Sequence, residues 1–103
     1  NYQVFLNPDA VLKSKSSREE IQKFIASKAL EFDGVYITTT ASILSKGQFD
    51  GILGMLQKGY NQKYSGDVMY VLNPGWMIYG HTGTTHGSVY AYDTHVPFIL
   101  YGW

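Results

Sequence analysis

The chain's three histidines, His81, His86 and His95, all lie between positions 81 and 95. The stretch GTTHGSVYAYDTHVP, from Gly83 to Pro97, adds Asp93 and three threonines to two of them. Because the chain has no cysteine, any metal here must be held by imidazole and carboxylate. Three histidines are the usual protein complement of a catalytic zinc. The spacing argues differently, since His-x4-His across a glycine-punctuated run lacks the geometry of H-E-x-x-H, which puts two ligands on one helical face. Ordinary loop histidines are therefore the expectation, rather than a self-contained three-histidine metal site.

Asp93 and His95 are two apart, so on an extended backbone they project to one side, where a carboxylate can fix a ring's tautomer. The competing reading makes Asp93 the cap of the Tyr92–Thr94 turn. Gly80, Gly83 and Gly87 with Thr84, Thr85 and Ser88 suggest a phosphate cradle, but the G-K-[ST] ending of a P-loop is missing. Thr84, Thr85 or Ser88 would need an adjacent base or metal to act as nucleophiles. Tyr90, Tyr92 and Tyr101 are read as core and rim packing rather than as a substrate wall.

The elements that must position these residues fit one domain, residues 1–103. Eight basic residues balance eight acidic ones and are scattered, which argues against nucleic acid as a partner. No apolar run is long enough to span a bilayer, and the first residues lack the pattern of a signal peptide. The strand-like opening and the ending at Tyr101-Gly102-Trp103 suggest a piece of a larger protein.

Tyr2–Leu6 reads as a strand, closed by a turn at Asn7-Pro8-Asp9. Ser17 with Glu20 forms a capping-box pattern that starts a helix. In it Ile21, Phe24, Ile25, Ala29 and Phe32 form the predicted core stripe, with Arg18, Glu19, Gln22, Lys23 and Ser27 facing water. Asp33-Gly34 ends it, and Val35–Thr39 is a strand. Ala41–Lys46 suggests a helical turn and Phe49–Tyr60 a second helix, despite Gly51 and Gly54. Asp67–Leu72 is a strand, Trp76–Tyr79 a possible partner strand, and Val96–Tyr101 a last strand beginning near Pro97. The expected fold is α/β (mixed α+β): a layered mixed sheet with two main helices in the order β-α-β-α-β-β-loop-β.

Two blocks, KYSGDVMYVLNPGW and GTTHGSVYAYDTHVPFILYGW, resemble the C-terminal catalytic segment of bacterial alkaline phosphatases of the type I phosphodiesterase/nucleotide pyrophosphatase group, within the alkaline phosphatase superfamily. The resemblance is strong over 60–103 and looser before it. It implies an alkaline-phosphatase-like fold and a phosphoric monoester or diester hydrolase in which two zinc ions sit about 4 Å apart. The T-H-G match makes His86 a zinc ligand, with Thr85, Gly87, Asp93 and His95 supporting the site rather than touching the metal. His81 receives no role. Tyr64 stands where relatives often carry Arg before the matched Ser65-Gly66-Asp67 turn.

The nucleophile and the other zinc ligands are expected outside this chain, so alone it should hold zinc weakly and hydrolyse nothing. The resemblance further implies a phosphate ester substrate, the rest of a catalytic domain as partner, and export to the periplasm. An exposed apolar patch, with Trp76, Trp103 and several tyrosines as candidates, would distinguish this from the alternative, a free-standing α/β domain binding a small ligand or protein without catalysis.

Overall fold

A computed structural model describes residues 2–78 and 86–102. His81, Thr84, Thr85, Tyr79 and Trp103 lie outside the described residues.

The central element is a three-stranded antiparallel sheet in the order β1-β3-β2, built from β1 (Tyr2–Val4), β2 (Val35–Thr40) and β3 (Val68–Leu72). The expected mixed sheet is therefore antiparallel throughout. β3 is central because nearly all of it is apolar and buried, as a strand packed on both faces requires. Tyr2 pairs with Tyr70 and Val4 with Val68, while Thr38 and Thr40 of β2 face Tyr70 and Val68. A bulge between Val35 and Ile37 shifts the register of β2 at one end.

Two main helices and a helical turn were expected; among the described residues the structure has five helical segments: α1 (Pro8–Lys13), α2 (Arg18–Ala29), α3 (Ala41–Lys46), α4 (Gly51–Gly59) and α5 (Ala91–Thr94). Helix α1 replaces the expected exit turn, because Asn7 caps it by accepting from the Asp9 and Ala10 N–H groups and Pro8 fits the first turn. The capping box at the start of α2 is complete: the Glu20 N–H donates to Ser17 Oγ at 3.2 Å and the Ser17 N–H to Glu20 Oε2 at 2.7 Å.

The inner face of α2 differs from the predicted stripe. Gln22 and Ala26 are buried, whereas Phe24 and Phe32 are 62% and 70% exposed. Gln22 turns inward because Asp67 and Ser42 meet it there: it donates to Asp67 Oδ1 at 2.9 Å and accepts from the Ser42 hydroxyl at 2.7 Å. The Phe24 side of the helix overhangs an apolar groove of about 550 Å³ between α2, the sheet and Met77–Ile78.

On the opposite face of the sheet, Met69 and Val71 pack with Leu44 of α3, Leu56 of α4 and Val89 in one core cluster. Full burial of a side chain such as Leu56 contributes roughly 1.5–3 kcal/mol. Gln57 braces this layer, donating to the Leu44 and Gly47 carbonyls at 2.7 and 2.6 Å and accepting from the Phe49 N–H at 3.3 Å.

Neither of the later predicted strands forms. Residues 76–78 carry no strand, and Val96–Tyr101 is irregular, with Val96 79%, Phe98 85% and Tyr101 98% exposed. The residues are strand formers by type, but they pair with neither edge strand of the sheet, β1 or β2. The radius of gyration of 16.3 Å exceeds the about 13 Å typical of a compact 100-residue domain.

Candidate functional site

Val89 fixes the site segment to the body of the fold, since it is buried in the core beside Met69 and Val71. Upstream of it the chain bends at Gly87, whose φ of 94° favours a residue without a side chain. Downstream, α5 begins after Tyr90, whose hydroxyl donates to the Leu72 carbonyl at 2.6 Å. These anchors bring His86, Ser88 and Asp93 together at the end of β3.

His86 is exposed and lines a pocket of about 160 Å³ with Gly87, Ser88, Asp93 and the aromatic residues Tyr2, Tyr70, Trp76 and Tyr90. Asp93 closes the bend by accepting the Ser88 N–H at 2.6 Å. That N–H holds the Asp93 carboxyl below its ordinary range, and the neighbouring His86 ring adds attraction. The bond belongs to neither sequence expectation: Asp93 caps no turn of its own, but ties down the stretch five residues earlier.

His95 is not grouped with Asp93. Both were expected on one side of an extended backbone, but residues 91–94 form the helical turn α5, where positions two apart do not share a face. His95 ends that helix and is exposed. Among the described residues no group of three or more His, Asp or Glu could hold a metal ion, so zinc does not fit these residues alone; one exposed imidazole suits it only as a contributor to a larger site.

The aromatic wall was missed in the sequence. Tyr2 and Tyr70 stack at 5.3 Å with their planes 14° apart, and Tyr90 and Tyr92 stack at 5.6 Å. The hydroxyls of Tyr2 and Tyr92 accept from the Ile78 and Gly75 N–H groups at 3.2 and 3.1 Å. Trp76 packs against Gly34, whose φ is +87° and where an added Cβ would come within 2.2 Å of the indole. The only signal in the sequence was the density of Tyr near 70–92; the pairing of Tyr2 with Tyr70 links positions 68 residues apart and leaves no local trace.

A second polar centre lies behind the sheet. Asp67 accepts from Arg18 Nε and Nη2 at 2.7 and 3.0 Å, Gln22 Nε2 at 2.9 Å and the Leu6 N–H at 2.9 Å. Burial by itself would raise the Asp67 carboxyl; Arg18, the Leu6 N–H and Gln22 outweigh it and the net shift is downward. Arg18, expected to face water only, thus brings a guanidinium to the Ser65-Gly66-Asp67 turn from α2. Tyr64 is exposed, with the Lys63 ammonium 5.3 Å from its ring centre.

No protein-family profile matches the chain. Relatives match it from end to end: "Alkaline phosphatase PafA" of Elizabethkingia meningoseptica is 29% identical, "Calcium-transporting ATPase" of Myroides odoratus 31%, and "Alkaline phosphatase PhoV" of Synechococcus elongatus 30%. The chain spans 19% of the length of each. The crystal structure of wild-type alkaline phosphatase PafA superposes on 89% of this chain and 18% of its own, with a TM-score of 0.74 at 22% identity. The chain is therefore similar along its whole length to a segment of longer alkaline phosphatases, and it shares the fold of that segment.

Proposed function

We propose that this chain is part of a zinc-dependent phosphoric ester hydrolase and that His86 contributes one imidazole to a two-zinc centre completed by residues outside the chain. The observation that carries the reading is the placement of His86: exposed, on a bend fixed at Gly87 and by the Asp93–Ser88 bond, in a chain aligned throughout with alkaline phosphatases.

Zinc in such a centre supplies positive charge to the phosphoryl oxygens and to the attacking oxygen. The chain's own residues have simpler tasks. His86 offers a ring nitrogen, Gly87 lets the backbone turn without a clashing side chain, and Asp93 holds the turn. Thr85 and His95 are assigned supporting roles from their motif positions alone. The substrate is a phosphate ester, the partner the remainder of the catalytic body, and the location the periplasm or beyond, in keeping with relatives named alkaline phosphatases. The exposed apolar residues of Val96–Tyr101 and the groove beside Phe24 supply surface for that body to cover. No described helix is long and apolar enough to cross a membrane.

In the full-length enzyme, His86→Ala should reduce bound zinc, measured by metal analysis, and lower phosphatase turnover at least ~100-fold; Asp93→Asn should cost about 10–100-fold in activity or metal affinity. Unchanged zinc content and turnover in His86→Ala would remove the assignment.

A further inference from the structure

The pocket next to His86 has walls of a particular kind. The rings of Tyr2, Tyr70, Trp76 and Tyr90 line it, together with His86 and Asp93. Three of the four rings are immobilised before anything binds. The Tyr2 hydroxyl accepts from the Ile78 N–H, the Tyr90 hydroxyl donates to the Leu72 carbonyl, and the Trp76 indole rests on Gly34. Fixed aromatic faces lose little freedom when a ligand arrives, which favours binding.

Charge decides which part of an ester can enter. Among the described residues no lysine or arginine lines the pocket, and the Asp93 carboxylate does, so a phosphate dianion is repelled while an uncharged group is not. Size narrows the choice further: about 160 Å³ is close to the roughly 150 Å³ of an apolar protein cavity that takes benzene. We propose that this pocket receives the aromatic ring of an aryl phosphate ester, leaving the phosphoryl group outside on the His86 side. The proposal rests on the assignment of His86 to the zinc centre and adds to it a preference among esters, since a flat ring gains ring-to-ring contact that an alkyl group cannot make.

The test uses the full-length enzyme and two non-hydrolysable probes, phenylphosphonate and ethylphosphonate, as competitive inhibitors, with inorganic phosphate as a third. Trp76→Leu should raise the inhibition constant of phenylphosphonate about tenfold, while those of ethylphosphonate and phosphate stay within about twofold. Tyr90→Phe keeps the ring and should leave the phenyl-to-ethyl ratio in place; Tyr90→Leu should lower it, and serves if Trp76→Leu does not fold. An unchanged ratio in both leucine variants, or equal weakening of all three inhibitors, overturns the aryl pocket. Zinc content in His86→Ala reads the underlying assignment separately: zinc retained there with the phenyl preference intact refutes the ligand role, whereas zinc lost with no phenyl preference refutes only the pocket.

Discussion

Replacing Asp67 with Ala deletes four hydrogen bonds that join Leu6, just after β1, and α2 to the residue that precedes β3. The groups left behind differ in what they lose. Gln22 is buried and the Leu6 N–H is partly so, and each unsatisfied buried group costs about 1–3 kcal/mol. The Arg18 side chain is 51% exposed and can return to water, so the ion pair contributes less than a fully buried one. The net loss is then about 2–4 kcal/mol, which at a urea dependence of about 2 kcal/mol/M lowers the unfolding midpoint by about 1–2 M. Circular dichroism during urea titration at neutral pH reads it directly. Asp67→Asn keeps the shape and one acceptor oxygen and should lose about half as much. The pH dependence has a definite sign: because the folded carboxyl titrates below its unfolded value, the stability it adds is present above the unfolded value of about 3.9 and disappears as pH falls through the lower folded value. The difference between the native chain and Asp67→Asn should close in that acidic window and no earlier. A midpoint shift for Asp67→Ala below about 0.5 M at pH 7, the size of an ordinary surface substitution, would refute the reasoning.

Gly34→Ala should lower the thermal midpoint by about 10 °C or more, since it combines a positive φ with a Cβ pressed into the Trp76 indole; an unchanged melting curve would contradict the contact. Gln57→Leu removes three hydrogen bonds between α3, the 47–49 turn and α4, and should cost about 1–3 kcal/mol, with faster hydrogen exchange at the Phe49 N–H as its local signature; an exchange rate equal to that of the native chain there would count against the brace.

Local signals in the chain were read correctly where the cause was itself local. Ser17 and Glu20 specify the start of α2 through two backbone N–H groups within one turn, and β-branched residues from Val35 to Thr39 specify β2. The T-H-G and S-G-D blocks pointed to the superfamily for a related reason, because short motifs keep their order. Misreadings arose where a partner distant in sequence decides. Gln22 looks like a solvent-facing residue until Asp67 and Ser42 are placed against it. Phe24 and Phe32 look like core, yet the sheet beneath α2 is too narrow to cover them. Asp93 and His95 share a face only on extended chain, and Asp93 lies instead in the helical turn Ala91–Thr94 that His95 ends. Val96–Tyr101 has the composition of a strand but pairs with none of the three strands among the described residues.

That last stretch has a practical consequence for handling the polypeptide. VPFILY is rich in β-branched and aromatic residues, carries no charge, and is exposed and outside any described strand, which is the pattern that recruits identical copies into intermolecular ladders. Pro97 is its sole gatekeeper, and it stands near one end. Preparations of the isolated 103-residue polypeptide should therefore self-associate through this tail at concentrations where the β1-β3-β2 body is still folded, and a lysine at Ile99 would be the economical way to keep them in solution.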